Sequence, residues 1–192
     1  MSECFPAMKS RASRKKQHID HVLKAAAELT GERQFIIIGS QALHGKWPQA
    51  ADAIARSAEI DLVAKPTADR AKWLNAIGHD SPFHESFGYY ADPVDEDAAT
   101  LPRGWKSRLV HLAGGDTNGV RGLCLDPHDL AISKYVAGRE KDLAFTRELA
   151  RRGYTARKRL LDLLKTTSVA ETVKRRIRDR IARDFEPRRG AR

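Results

Sequence analysis

The sequence has few of the residues that hold together disulfide-rich or zinc-binding domains. Only two of its 192 residues are cysteines, Cys4 and Cys124, which is too few for a disulfide framework or a cysteine-based zinc site. No apolar run approaches the roughly 20 residues that a membrane-spanning helix needs. Residues 1–6 also lack the charged-then-apolar order of a secretory signal. We therefore expect a cytoplasmic protein with no membrane segment.

Basic residues are abundant, and they are concentrated at one end of the chain. The formal net charge is +10. Residues 139–192 carry 18 Lys and Arg against 8 Asp and Glu, a surplus of ten, whereas residues 1–138 carry 17 of each. This C-terminal surplus indicates either binding of a polyanion such as nucleic acid or a solvated helix surface that only keeps the protein soluble.

Hydrophobic periodicity predicts an α/β (α+β) fold, with a small mixed sheet flanked by helices. The N-terminal half is expected to form, in order, a helix over 14–30, a strand over 34–38, a turn and a helix start at 39–44, a strand over 58–64 and a helix over 68–77. The C-terminal half is expected to form short strands over 87–90, 105–112 and 123–125, and helices over 126–137, 139–152, 156–164 and 169–185.

Three segments follow from this pattern. Residues 1–14 are predicted to be a flexible leader, and residues 15–153 the core. Residues 154–192 are predicted to be a basic helical C-terminal extension. The break between helices at Gly138 is left open, because the pattern also fits one continuous helix across it.

The strand over 34–38 ends in Gly39-Ser40, immediately before a predicted helix start. Glycine lets the backbone approach a phosphate closely, and free N–H groups with the serine hydroxyl can donate to its oxygens. A tight turn without a ligand would show the same two residues.

The next predicted strand carries two carboxylates on one face. Because side chains alternate along a strand, Glu59 and Asp61 point to one side while Ile60 and Leu62 point to the other. Neighbouring carboxylates repel each other and are costly to desolvate, and a divalent cation such as Mg²⁺ resolves both problems. An edge strand with a solvated face is the alternative.

A strand ending in Gly-Ser, a helix and a strand with acid-x-acid together resemble the nucleotidyltransferase superfamily that includes DNA polymerase β. The segment 129–143, with Lys134 and the Arg139-Glu140-Lys141-Asp142 run, is similar to an element of the bacterial AbiEii-like branch and of related uncharacterised nucleotidyltransferase-like proteins. The resemblance covers roughly residues 20–150.

The resemblance implies a role for each matching residue. Gly39 and Ser40 would contact the triphosphate, and Glu59 and Asp61 would ligate Mg²⁺ or Mn²⁺. Lys134 would reach a phosphate of the nucleotide. The pocket would be completed by Arg139 and Lys141 as nucleotide-binding residues, and by Asp142, which would orient a basic neighbour or help to activate the acceptor.

Two departures from the superfamily pattern bear on activity. The long spacing between Ser40 and Glu59 requires an insertion around residues 47–56. Residues 108–112, within the strand expected over 105–112, contain no third carboxylate, for which Asp142 or Asp92 would have to substitute. The alternative function is therefore a catalytically inactive protein of this fold that binds nucleotide or nucleic acid.

Arg139 needs an anionic partner whether or not Gly138 breaks the helix. On a continuous helix Arg139 would lie in an apolar stripe, whereas after a break residues 139–142 would form a first turn that faces the cleft. The partner would be a bound phosphate, or else a carboxylate of Glu59, Asp61 or Asp142.

The function implied by the resemblance is Mg²⁺-dependent transfer of a nucleoside monophosphate from a nucleoside triphosphate to a hydroxyl. The acceptor would be RNA, including a tRNA, or a protein, and the basic C-terminal helices would serve an RNA acceptor. The same resemblance implies a toxin of a toxin–antitoxin or phage-defence system with a cognate antitoxin. The seven histidines show no paired metal-ligand spacing except His18 and His21, which are expected to be solvated.

Overall fold

A computed structural model describes residues 11–48, 54–63, 72–112 and 118–187, without the side chains of residues 11–14. Its centre is a five-stranded mixed sheet in the order β3-β2-β1-β5-β4. The strands are β1 (Gln34–Ile37), β2 (Glu59–Val63), β3 (Tyr90–Val94), β4 (Val110–His111) and β5 (Arg121–Cys124). The predicted fold class, a small mixed sheet flanked by helices, is confirmed.

Residues 72–74 are helical, and six further α-helices with both ends in the described residues lie around this sheet. They are α1 (Arg11–Thr30), α2 (Pro82–Phe87), α3 (Pro127–Ala137), α4 (Glu140–Arg151), α5 (Arg157–Lys165) and α6 (Glu171–Asp184). Short 3-10 helices cover Ser40–Gly45, Asn75–Ile77, Glu96–Ala98 and Trp105–Arg108. No helix of the described residues is long and apolar enough to cross a membrane.

Helix α1 packs its apolar stripe on the sheet. Ile19, Val22, Leu23 and Ala26 are completely buried, as the helical spacing of apolar residues predicts. Leu23 packs so closely on Gly122 of β5 that a Cβ added there would lie 2.9 Å from Leu23 Cδ1. This contact leaves the opposite face of the sheet available for a cleft.

The register of the sheet brings the predicted site residues together. β1 and β2 are antiparallel, with Ile36 opposite Val63 and Ile37 opposite Leu62. The Ile38 N–H donates to the Asp61 carbonyl oxygen at 3.0 Å. The turn that follows β1 therefore lies directly beside the carboxylates of β2.

Gly138 separates α3 from α4, so the continuous-helix alternative is wrong. Its φ of 66° is in the left-handed region, and its N–H donates to the Lys134 carbonyl oxygen at 2.9 Å. Such a glycine is a common helix stop. Arg139 is extended and α4 begins at Glu140, so the basic run turns towards the cleft.

The strand predicted over 105–112 is wrong for most of its length. Residues 105–112 contain a 3-10 helix followed by only the two-residue β4. The Arg108 side chain there donates to both carboxylate oxygens of the fully buried Asp129, at 2.8 and 2.7 Å. This tie to the first turn of α3 holds the segment out of an extended conformation.

The strand predicted over 87–90 is displaced along the chain. Ser81 accepts a hydrogen bond from the His84 N–H and begins α2, while Gly88 ends it with a φ of 73°. The strand itself starts only at Tyr90. Residues 78–104 therefore contain α2 and β3, and β3 is the strand that carries Asp92.

Other predicted helices have the expected positions with shifted ends. α1 begins at Arg11 rather than at residue 14. The helix predicted over 156–164 is Arg157–Lys165, and that over 169–185 is Glu171–Asp184. Residues 49–53 of the predicted insertion, and 64–71 at the end of the second strand and the start of the helix after it, lie outside the described residues.

Candidate active site

A cleft of about 520 Å³ opens between β2 and β3 on one side and the α3–α4 corner on the other. Seven of the eight residues predicted for the site line it: Ser40, Glu59, Asp61, Lys134, Arg139, Lys141 and Asp142. The eighth, Gly39, lies against Asp61. The cleft thus brings together residues that are up to about 100 positions apart in the chain.

Gly39 is required by its backbone conformation and by its neighbour. Its φ of 67° and ψ of −169° fall in a region that is essentially restricted to glycine. A Cβ added at this position would lie 1.8 Å from Asp61 Oδ2. The glycine therefore lets the Asp61 carboxylate touch the turn that precedes Ser40.

Three carboxylates form the acidic wall of the cleft, namely Glu59, Asp61 and Asp92. Asp61 and Asp92 occupy paired positions on the parallel strands β2 and β3. Burial, together with the charges of Glu59 and Asp92, raises the pKa of Asp61 from its usual 3.8 to about 6, although Lys134 acts in the opposite direction. Like-charge repulsion in the acidic wall is therefore not fully compensated by the protein.

Asp92 brings a third carboxylate to the cleft, whereas residues 108–112 contain none. Burial and the nearby Glu59 raise its pKa, while His79 lowers it. Its strand β3 lies at the edge of the sheet, where Pro93 is tolerated because an edge strand need not donate every N–H. The Asp92-Pro93 pair obscured this strand in the sequence.

Tyr90 connects the acidic wall to its surroundings. Its hydroxyl donates to Glu59 Oε2 at 3.4 Å, and burial followed by the Glu59 charge raises the pKa of the phenol. The rings of His79 and His84 pack on it, with centroids 5.0 and 4.6 Å away. Tyr90 thus connects Glu59 to the rings of His79 and His84 beside the cleft.

Asp142 is the centre of the basic wall. Only 2% of its side chain is exposed, and it accepts from Arg139 Nε at 2.6 Å and lies 3.4 Å from Lys134 Nζ. Burial alone would raise the pKa of Asp142, but the hydrogen bond from Arg139 and the charge of Lys134 bring it below the usual value. Asp142 therefore stays ionised and holds two cations in place.

Arg139 has the anionic partner that the sequence required, and this partner is Asp142. The arginine side chain remains 60% exposed at the cleft, so its remaining donors can reach a ligand. None of the described carboxylates lies within salt-bridge distance of the nearby Lys141, which is exposed on the same rim.

Sequence analysis missed several further residues of the cleft. Ile54, Arg56, Ser57 and Phe145 also line it. Phe145 lies one turn beyond Lys141 on α4, and this helical spacing was the available signal. Arg56 and Ser57 belong to the segment preceding β2, which has no motif that points to a site.

A histidine cluster was also missed. His79, Asp80 and His84 bring possible metal-ligand atoms within 4.8 Å of one another outside the cleft. His79 and Asp80 form an exposed ion pair at 2.9 Å, and His84 Nδ1 accepts from the Asp80 N–H at 3.2 Å. Local pairing within this turn explains the contacts.

The donor set of the acidic wall fits a hard divalent cation. Carboxylate oxygens are the protein ligands that Mg²⁺ prefers, and Mg²⁺ is held by one or two carboxylates together with substrate phosphates. A cation there would offset the burial and the like-charge repulsion that together raise the pKa of Asp61. The opposite wall presents arginine and lysine donors suited to phosphate oxygens.

Comparison with known proteins gives one match. The model of a family described as "Nucleotidyltransferase of unknown function (DUF6036)" matches residues 17–187. Neither curated proteins nor solved structures gave a significant match. Because the match covers most of the chain, the protein belongs to this nucleotidyltransferase family.

Proposed function

From this family membership we propose that the protein is a nucleotidyltransferase that depends on Mg²⁺ or Mn²⁺. It would transfer a nucleoside monophosphate from a nucleoside triphosphate to an acceptor hydroxyl. The observation that carries the proposal is the pairing of two unlike walls across one cleft. Three carboxylates whose negative charge the protein only partly offsets face Lys134 and Arg139. The buried carboxylate of Asp142 holds these two basic side chains in place.

The acidic wall would hold the cation. Glu59 and Asp61 are the proposed ligands, and Asp92 is the proposed third carboxylate. The cation would neutralise charge on the transferred phosphoryl group and help to orient the attacking hydroxyl. Gly39 would keep Asp61 beside the turn, while the Ser40 hydroxyl and neighbouring N–H groups would donate to the triphosphate.

The basic wall would stabilise the leaving group. The acceptor oxygen forms a bond to the α-phosphorus while the bond from that phosphorus to the bridging oxygen breaks, and pyrophosphate and a proton are released. Lys134, Arg139 and Lys141 would donate to the pyrophosphate oxygens. Asp142 would act as a positioning residue for the first two, since positioning and electrostatics dominate phosphoryl-group transfer.

The position of Asp92 favours an enzyme over the inactive binding protein. The apparent lack of a third carboxylate was the ground for that alternative. Asp92 supplies this residue type in register with Asp61. We therefore place catalytic activity ahead of simple nucleotide binding.

The acceptor and the biological role rest on other observations. The surplus of ten basic charges over residues 139–192 supports RNA, including tRNA, ahead of a protein hydroxyl. The AbiEii-like affiliation, a cytoplasmic toxin role and a cognate antitoxin are supported by sequence resemblance. In this proposal residues 15–153 supply the catalytic core and residues 154–192 a basic extension that contacts the acceptor.

Radiolabel transfer tests the proposal. Each of the four α-labelled nucleoside triphosphates would be incubated with the protein, Mg²⁺ and total RNA or protein extract. We expect label in a macromolecule with wild type, and none with Asp61→Ala or with excess chelator. If wild type and Asp61→Ala are equally inert with all four nucleotides and both acceptor pools, the enzyme proposal fails.

A further inference from the structure

A second cavity lies behind the α3–α4 corner. It measures about 310 Å³ and separates the corner from α6. Its polar wall consists of Arg176, Arg180 and Arg183, and Gly138 and Leu143 lie on the opposite wall. We call this cavity the arginine groove.

Two arginines of the groove have no carboxylate partner among the described residues. Arg180 lies 3.3 Å from the buried Asp184, and Arg178, on the same helix, pairs with Glu171. By contrast, no carboxylate of the described residues lies within 4.0 Å of Arg176 or Arg183, both of which are exposed. The groove therefore presents positive charge that the described part of the fold does not use.

Capping of α3 does not explain these arginines. The C-terminal carbonyls of a helix attract cations, and α3 ends at this groove. If Arg176 and Arg183 served only as caps, they would donate to those carbonyls. Within the described residues neither makes such a hydrogen bond, and the N–H of Gly138 already satisfies the Lys134 carbonyl.

The groove and the active-site cleft meet at the corner. Gly138 lines the groove, while the next residue, Arg139, lines the cleft. Consecutive Cα atoms are about 3.8 Å apart. A flexible chain bound in the groove can therefore continue over the corner into the cleft.

We propose that the arginine groove binds the phosphodiester backbone of a single-stranded RNA acceptor whose terminal hydroxyl enters the cleft. This inference rests on the proposed nucleotidyl transfer. The planar fork of arginine matches phosphate oxygens. The polar wall of the groove consists of arginines, which can donate to the phosphate oxygens of a nucleic acid backbone. Asp179 lies beside Arg176 and Arg183 on α6 and offsets only part of their charge.

The test is a binding titration with a fluorescein-labelled 12-nucleotide RNA and the full chain. The test variant is Arg176→Ala/Arg183→Ala. The matched control is Arg33→Ala/Arg121→Ala, which removes the same charge from exposed residues at the start of β1 and β5, whereas the cleft lies beyond the end of β1. Thermal melting checks that both variants are folded.

We expect the groove variant to bind the RNA at least about tenfold more weakly at 100 mM salt. Loss of two phosphate contacts should also reduce the slope of log affinity against log salt by about 1.4. The control should change affinity less than twofold. Equal losses in both variants, or no loss in the groove variant, would overturn the proposal, as would equally strong competition by an acidic polyglutamate peptide.

Asp61→Ala separates this inference from the proposed function. Its RNA binding should equal that of wild type, because Asp61 lies in the other wall of the cleft. If RNA binding follows the groove arginines but no label transfer is ever observed, the groove is supported and the transferase proposal fails. If label transfer occurs but Arg176→Ala/Arg183→Ala binds RNA as strongly as wild type, only the groove proposal fails.

Discussion

The two walls of the cleft treat their carboxylates in opposite ways. On the acidic wall, burial and neighbouring carboxylates raise the pKa of Asp61 to about 6. On the basic wall, Arg139 and Lys134 lower the pKa of the more deeply buried Asp142 despite its burial. The protein itself offsets the negative charge of Asp142, whereas the charge of Asp61 is left to be offset by an added cation.

This difference separates two roles for the same chemical group. A carboxylate that already accepts from two cations fixes the geometry of those cations and gains little from a metal. A carboxylate crowded by like charges gains stability from any cation that binds there. We therefore expect the same substitution to have different effects at Asp61 and at Asp142.

The largest expected effect is that of Asp61→Asn on transfer. Removing one proposed metal ligand should lower the rate of label transfer by about 10³-fold, since metal stabilisation of transferred phosphoryl groups is worth several kcal/mol. Asp97→Asn, at an exposed aspartate in the 3-10 helix Glu96–Ala98, serves as the control and should retain activity. If Asp61→Asn transferred label at a rate within tenfold of wild type, the proposed difference between the two walls would be contradicted.

Gly39→Ala should have the next largest effect and lower the rate of label transfer by about 10²-fold, because the added Cβ would displace the Asp61 carboxylate. Gly153→Ala is the matched control, since Gly153 also has a positive φ, 69°, but nothing within 4 Å of an added Cβ. Both variants should lose about 1 kcal/mol of unfolding free energy or more from backbone strain. If transfer falls equally in both, strain rather than Asp61 placement is responsible.

Asp142→Asn should lower transfer by about tenfold, mainly by raising the KM for the nucleotide. Lys134 and Arg139 would lose the charge that holds them, while the acidic wall would be untouched. Glu148→Gln is the control, because Glu148 on the same helix likewise pairs with two cations, Arg151 and Arg152. A kcat loss with unchanged KM would mean that Asp142 acts in the chemical step instead.

The smallest effect concerns stability and pH in the metal-free protein. Because the folded state raises the pKa of Asp61 above its usual 3.8, the stabilisation from binding that proton is full below pH 3.8 and is lost as pH rises through about 6. Asp61→Asn should match wild type near pH 4 and exceed it by about 1–3 kcal/mol at pH 7.5. Urea unfolding with chelator at both pH values measures this. If the stability advantage of Asp61→Asn over wild type were equal at both pH values, the raised pKa of Asp61 would be contradicted.

Much of the site could be predicted because its chemistry is local in sequence. Gly39-Ser40 after an apolar strand and Glu59-x-Asp61 within the next are each readable from alternation and from turn residues. The break at Gly138 was left open, because glycine near the end of a helix is compatible with both outcomes. Only the folded structure, in which Gly138 has a left-handed φ, shows that the helix ends there.

The third carboxylate was harder to assign because it depends on strand pairing. Asp92 lies next to Asp61 only because β3 adds to the edge of the sheet in parallel with β2. Residues 105–108, the first half of the strand predicted over 105–112, instead form a 3-10 helix that the contact between Arg108 and Asp129 ties to α3. Neither interaction leaves a periodic signal in the sequence.

Calorimetric titration with Mg²⁺ tests the central claim most directly. Wild type, Asp61→Asn and Asp142→Asn would be titrated at pH 7.5, each with a non-hydrolysable triphosphate analogue. The account predicts Mg²⁺ binding by wild type and Asp142→Asn, and at least a tenfold weaker affinity for Asp61→Asn. Equal Mg²⁺ affinity of wild type and Asp61→Asn, or selective loss in Asp142→Asn, would contradict it.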